Sequence, residues 1–201
     1  MNILLRQIWL MSILFAAPAF AANPFLDAKD AKPASATFRG TEWNDENIDG
    51  DIPLTARVVT TRIAQMSWGA IFKIEFTDLK SKATEKREIR PDYYIATNDR
   101  IVLLNEENND EAAKKIAAME KPPAFEEDNI CGITSGQFKH KEGLWETTIS
   151  VKGDQCVFDS VHPSGHFRRI VWKKGVGLIQ YDNGYGAAKD GFKLKRVASK
   201  K

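Results

Sequence analysis

Asp45, Asn47, Asp49 and Asp51 place oxygen donors at alternating positions, with Gly50 sixth and Ile52 eighth in the run. Alternating side chains of this kind curl round a hard cation, the glycine makes the sharp turn and the apolar residue ties the loop down. The cation this predicts is calcium. At the twelfth position, where a bidentate carboxylate would complete the shell, stands Ala56. Pro53 and the β-branched residues after it point to a strand rather than an exiting helix. The plain expectation is therefore an acidic, solvated turn, with a loose calcium loop running into a strand as the alternative.

Asp159, His162 and His166 form a second set of donors suited to a transition metal. Pro163, Ser164 and Gly165 lie between the histidines, so the segment reads as a loop and the four-residue spacing carries no helical geometry. Nucleophilic catalysis finds less support. Ser135 precedes Gly136 without the flanking pattern of a nucleophile elbow, and His140 is near it only in sequence. Glu126, Glu127 and Asp128 fit a polar loop after Pro122-Pro123. No phosphate loop or dinucleotide fingerprint is present. Cys131 and Cys156, the only cysteines, are expected to form a disulfide enclosing a loop of about 25 residues, worth on the order of 3 kcal/mol in the chain-entropy model.

That pairing belongs with the amino-terminal segment. Residues 1–21 carry Arg6 ahead of an apolar run from Ile8 to Phe20 and end in Ala19-Phe20-Ala21. A charged start, apolar middle and small-x-small exit are the parts of a secretory signal. The run is roughly 13 residues against the about 20 that a bilayer span needs. Cleavage is expected after Ala21 or Ala22, into a periplasmic or secreted location where disulfides persist. No transmembrane segment is expected in the mature chain.

The 201 residues have a formal charge of +2, and losing Arg6 with the signal would bring it to +1. That balance gives no field that argues for nucleic acid. The tail holds Lys193, Lys195, Arg196, Lys200 and Lys201, a basic group that suits anionic lipid, a cell-wall polymer or a partner, or a plain solvated end.

The elements that would position these residues are mostly strands. After a flexible leader over 22–37, rich in Ala, Lys, Asp and Pro, a single β-rich domain is expected over 38–197, with 198–201 as a basic tail. Phe72, Ile74 and Phe76 alternate with Lys73 and Glu75, the pattern of a half-buried strand, and 54–63 reads as the strand before it. Residues 93–97 and 100–104 flank Asn98-Asp99 as a hairpin. A helix is predicted near 109–121, capped by Asn108 or Asn109, with Ala112, Ile116 and Met119 as its apolar stripe and Pro122-Pro123 as its stop. Strands resume with Trp145, Thr147, Ile149 and Val151, return through Cys156, Phe158 and Ser160, and continue through Ile170 and Trp172. The fold class is mainly β: an antiparallel meander closing as a small barrel or sandwich.

Residues 172–187 read WKKGVGLIQYDNGYGA. The segment resembles the C-terminal part of exported bacterial β proteins that carry a W-x-x-G-x-G-L-x-x-Y-x-x-G-Y-G-A pattern, a resemblance over about a tenth of the chain that implies an exported β protein and no catalytic residue. Read from the residues, Asn183-Gly184 is a turn flanked by Tyr181 and Tyr185, either a glycine-rich turn with the two aromatics packed beneath it or a surface recognition loop. The sequence thus points to an exported non-enzymatic binding module of the cell envelope, whose partner is an envelope protein, a cell-wall polymer or a small ligand. A metal-dependent hydrolase and a calcium-stabilised structural domain are the rivals.

Overall fold

The computed structural model describes residues 23–26, 33–44, 52–83, 87–104, 106–124, 129–132, 136–186 and 190–198. The proposed calcium loop (Asp45, Asn47, Asp49, Asp51), the signal, Glu126, Glu127, Asp128, Ser135 and the end of the tail lie outside these residues, as does the side chain of His140.

Alternation builds the walls. Phe72, Ile74 and Phe76 are buried, while Lys73 and Glu75 pair at 2.8 Å on the opposite face. The same period recurs in β2 (Ile52–Gln65), which lies between β1 (Ala34–Trp43) and β3 (Ala70–Ser81), and is followed by β4 (Asp92–Ala96), β5 (Arg100–Leu104) and β6 (Asn129–Gly132). The second half of the chain supplies β7 (Gly136–Glu142), β8 (Trp145–Lys152), β9 (Gln155–Val161), β10 (His166–Lys173), β11 (Gly177–Tyr185) and β12 (Asp190–Arg196). The twelve strands form one sheet in the order β6-β5-β4-β3-β2-β1-β12-β11-β10-β9-β8-β7. Two meanders are therefore joined where the first strand pairs with the last.

The sheet rolls into a nearly closed barrel, which decides between the two expected architectures. Edge strand β6 lies against β8 and β9 at the seam. Inside, Trp172, Tyr94, Tyr181, Phe38, Leu54, Ile74 and Ile170 are almost fully buried. Tyr94 meets Trp172 edge-on at 5.2 Å and Tyr181 stacks on Phe192 at 5.9 Å. The barrel interior is thus filled with rings.

The seam bears on the expected disulfide. Cys131 on β6 and Cys156 on β9 are brought together, both fully buried and hydrogen-bonded as thiols, with no disulfide formed. Burial, and then the hydrogen bond with Cys156, pushes the Cys131 thiol well above its ordinary range.

The helix is α1 (Asn109–Ala117), capped by Asn108, whose side chain accepts from the Glu111 N–H at 3.2 Å. It lies on the outer face of the barrel. Ala113 and its neighbours Ala112, Ile116 and Ala117 cover Met66, Ile71, Tyr93, Ile95 and Leu104. The Tyr93 hydroxyl donates to Asp110 at 2.6 Å, and Trp68 Nε1–H donates to Met119 O at 2.9 Å. Met119 itself is exposed. A tightened turn, Met119 N–H to Ile116 O at 3.0 Å, ends the helix before the prolines are reached.

The leader expected over 22–37 is also different where it is described. Asn23 to Leu26 seat in the barrel end formed by the turns at 66–69, 97–99 and 174–176. Phe25 and Leu26 are buried in the main core. Asn23 Nδ2 donates to Thr97 O at 2.8 Å and Arg100 O at 3.1 Å, and Gly175 N–H donates to Pro24 O at 2.7 Å. Strand β1 then starts at Ala34. The polar composition of the segment as a whole conceals one apolar pair, Phe25-Leu26, that the core takes up.

The other end is crossed by the strap 87–91. Arg87 Nε donates to Glu42 Oε2 at 2.7 Å and Arg87 also pairs with Asp190, while Ile89 packs on the core. Just beneath it lies a cross-barrel cluster. Arg168 Nη2 meets Asp92 Oδ2 at 2.5 Å, and the same oxygen accepts from the Tyr94 hydroxyl at 2.7 Å and the Tyr181 hydroxyl at 2.8 Å. Burial works against the Arg168 charge, but Tyr181 and Asp92 more than offset it and hold its pKa above the ordinary value.

Candidate functional site

At the strapped end, two hairpin tips and the end of β11 gather four rings. The β7–β8 turn runs through Gly143 at φ +55° and delivers Trp145 to the start of β8. The β9–β10 turn spans His162 to Gly165. It is closed by His162 N–H to His166 O and Gly165 N–H to His162 O, both at 2.8 Å, with Gly165 at φ +98°. That conformation favours glycine. Tyr185 stands directly opposite His166 in the β10–β11 ladder.

The rings pack in series. His166 and Tyr185 stack at 3.9 Å with an 8° angle between planes. Trp145 lies 5.2 Å from His162 and 6.3 Å from His166. Ser164 ties the histidines: its hydroxyl is 2.5 Å from His162 Nδ1 and 2.8 Å from His166 Nδ1, and its N–H donates to His162 Nδ1 at 3.1 Å. The last bond makes that nitrogen an acceptor, which places the proton of neutral His162 on Nε2. Trp145 keeps 39 % of its surface exposed, flanked by Leu144 at 60 % and Val161 at 49 %.

The structure therefore brings His162 and His166 together but separates Asp159 from them. Asp159 pairs with Arg169 instead. Among the described residues no three His, Cys, Asp or Glu side chains gather as a metal site, so the Asp159, His162 and His166 set is not assembled. The physical reason is register: Asp159 stands directly opposite Arg169 on β10, and that cation takes the carboxylate.

Ser164 is a poor nucleophile candidate as well. A serine activated for attack needs a base that is itself oriented by a third group, and donors for the developing oxyanion. Among the described residues, no carboxylate bonds to either imidazole. The cluster is better suited to presenting flat apolar faces with hydroxyl and imidazole groups at their edges.

Of the two tyrosines expected to flank a recognition turn, only Tyr185 belongs to this surface. Tyr181 is a core residue of the Asp92–Arg168 cluster. Nor is Asn183-Gly184 a turn: both residues lie within β11. Gly184 faces Gly191 on β12, and a side chain on Gly191 would strike Trp43 at 2.4 Å. The glycines form a shallow floor over which Trp43 and Phe167 stack at 6.0 Å. Trp145 was missed as a site residue because its period-two phase with Ile149 and Val151 reads as core. Its place at the strand's first position, next to a glycine turn, was the signal that it sits at the rim. No protein-family model, curated protein or solved structure matches this chain.

Proposed function

We propose that this protein is an exported, non-enzymatic binding module of the bacterial cell envelope that recognises a neutral polysaccharide through Trp145, His162, His166 and Tyr185. The observation that carries the reading is the partly exposed series of rings at one barrel end, held on hairpin tips by a rigid scaffold, the usual place for recognition residues. Sugar rings offer apolar faces for stacking and hydroxyls for the imidazoles and Ser164. The charges nearby, Lys141 and Glu146, pair with each other, which favours an uncharged ligand. A ring-filled interior closed at both ends directs binding to the rim.

Export rests on the amino-terminal signal pattern of residues 1–21. In an oxidising compartment Cys131 and Cys156 would lose two electrons and two protons to a disulfide oxidant, and the new bond would close the β6–β9 seam covalently. The test is sedimentation of the purified protein with insoluble cell-wall polysaccharide. Wild type is expected in the pellet, and Trp145→Ala should weaken binding by at least about tenfold, as loss of an aromatic anchor does. Wild type that stays in the supernatant, or pelleting that Trp145→Ala and Tyr185→Ala leave unchanged, defeats the proposal.

A further inference from the structure

Two neighbouring rows of directly opposed residues cross the outer wall with different charge. In the row nearer the strap, Thr41, Lys193, Asp182, Arg169 and Asp159 face one another in turn, so cations and carboxylates alternate. Two residues toward the plugged end the row is Lys80, Thr55, Arg39, Lys195 and Gln180. It holds only cations and neutral groups. Arg39 and Lys195 stand directly opposite each other, which costs stability in an antiparallel pair. Lys80, Arg39 and Lys195 are exposed, and among the described residues none of them pairs with a carboxylate.

The same row continues into Val171 and Val157. With Val176 and Ile179 these form the apolar part of a groove of about 550 Å³, rimmed by Lys195 and Arg196. Arg196 bonds to Val176 O at 2.6 Å, and burial with no carboxylate beside it lowers its pKa from the ordinary value. Across β12 lies a second groove of about 460 Å³ that contains Arg57, Lys80 and a single acid, Asp78. Lys200 and Lys201 follow in the sequence.

We infer that this wall docks the protein on a membrane surface of anionic phospholipid, with headgroup phosphates on Lys80, Arg39 and Lys195 and acyl boundary against the valine groove. Uncompensated cations beside an apolar trough match such a surface on both counts: phosphate supplies the missing counter-charge, and lysine and arginine stems extend the apolar contact. Bound phosphate also relieves the Arg39–Lys195 repulsion, which gives the proposal a second readout. The surface lies toward the end of the barrel opposite the ring cluster, so the two binding events are independent.

The experiment is co-sedimentation of the mature protein with vesicles of equimolar phosphatidylcholine and phosphatidylglycerol, against vesicles of phosphatidylcholine alone. Binding is expected only to the mixed vesicles and should fall as salt is raised. Arg39→Ala, Lys80→Ala and Lys195→Ala should each weaken it about fivefold, and the triple variant on the order of 100-fold. Lys114→Ala, on α1 and outside the row, should leave it unchanged. Arg39→Glu should abolish binding while raising the melting temperature without lipid, because it places opposite charges across the strands. Absence of binding to the mixed vesicles, equal loss in Lys114→Ala, no effect of the triple variant, or binding to soluble heparin but not to vesicles would overturn the inference.

Discussion

The two ends of the barrel are closed by opposite means. At one end Phe25 and Leu26 fill the opening with apolar side chains, and Asn23 satisfies the carbonyls of Thr97 and Arg100 that the turn exposes. At the other end charge does the work: Arg87 spans Glu42 and Asp190, and Arg168 bonds Asp92 beneath it. The apolar plug contributes in proportion to the area it covers and tolerates repacking. The charged closure is conditional, since each partner is costly to bury without the other. The buried, unpartnered Arg168 Nε and Glu42 Oε1 show that even the complete arrangement is not fully satisfied.

Three substitutions sharpen this contrast. The largest effect is expected for Arg168→Met, which strands Asp92 and should destabilise by about 3–5 kcal/mol. Adding Asp92→Leu should return most of that loss, and denaturant titration of the single and double variants measures it. A double variant no better than the single would mean that the ion pair itself, not its imbalance, holds that end. Phe25→Ala should cost about 3 kcal/mol, the typical penalty for emptying a buried aromatic site, and no second substitution at Asn23 or Leu26 should recover it. An unchanged melt would show that the plug is not part of the core.

The smallest effect concerns Asp182, a wall carboxylate that burial disfavours although Lys193 and Arg169 stand beside it. It is 4 % exposed, its Oδ1 lacks a partner, and burial holds its pKa above the ordinary carboxylate range, with the Gln180 hydrogen bond only partly opposing. A carboxyl whose pKa is raised by folding contributes stability below its unfolded value and loses it as pH rises through the folded one. Wild type should therefore lose stability as pH rises from the ordinary aspartate range toward neutrality. Asp182→Asn should melt higher at neutral pH and show a flatter profile. An Asn variant that melts lower at neutral pH would contradict the assignment.

How much of this was legible follows from the range of each interaction. Alternation over five residues marked 72–76, and Asn98-Asp99 between two apolar runs marked the hairpin, because both signals are local. The sequence signal could not tell Tyr181 from Tyr185, four residues apart in the same glycine-rich stretch. One is buried by an aspartate 89 residues away and the other stacks on its cross-strand neighbour. Gly184 read as a turn because composition reports a glycine's freedom, whereas here its use is lack of bulk, visible only once Gly191 and Trp43 are placed beside it. The charge rows were hidden for the same reason. Lys80, Arg39 and Lys195 are scattered in sequence and become a row only through register. Of the candidate site, His162, His166 and Tyr185 were in view as separate hints. Trp145 and the bridging Ser164 needed the turn geometry.

Because β1 is hydrogen-bonded to both β2 and β12, the oldest strand of a growing chain waits for the youngest. Until Asp190–Arg196 has emerged, one edge of β1 and one edge of β11 remain open and the two meanders have no common wall. Closure of the sheet thus waits for β12, and folding is slow for a sheet so rich in distant pairings. A chain stalled or clipped before Asp190 would carry two unsealed strand edges, the kind of surface that recruits other chains.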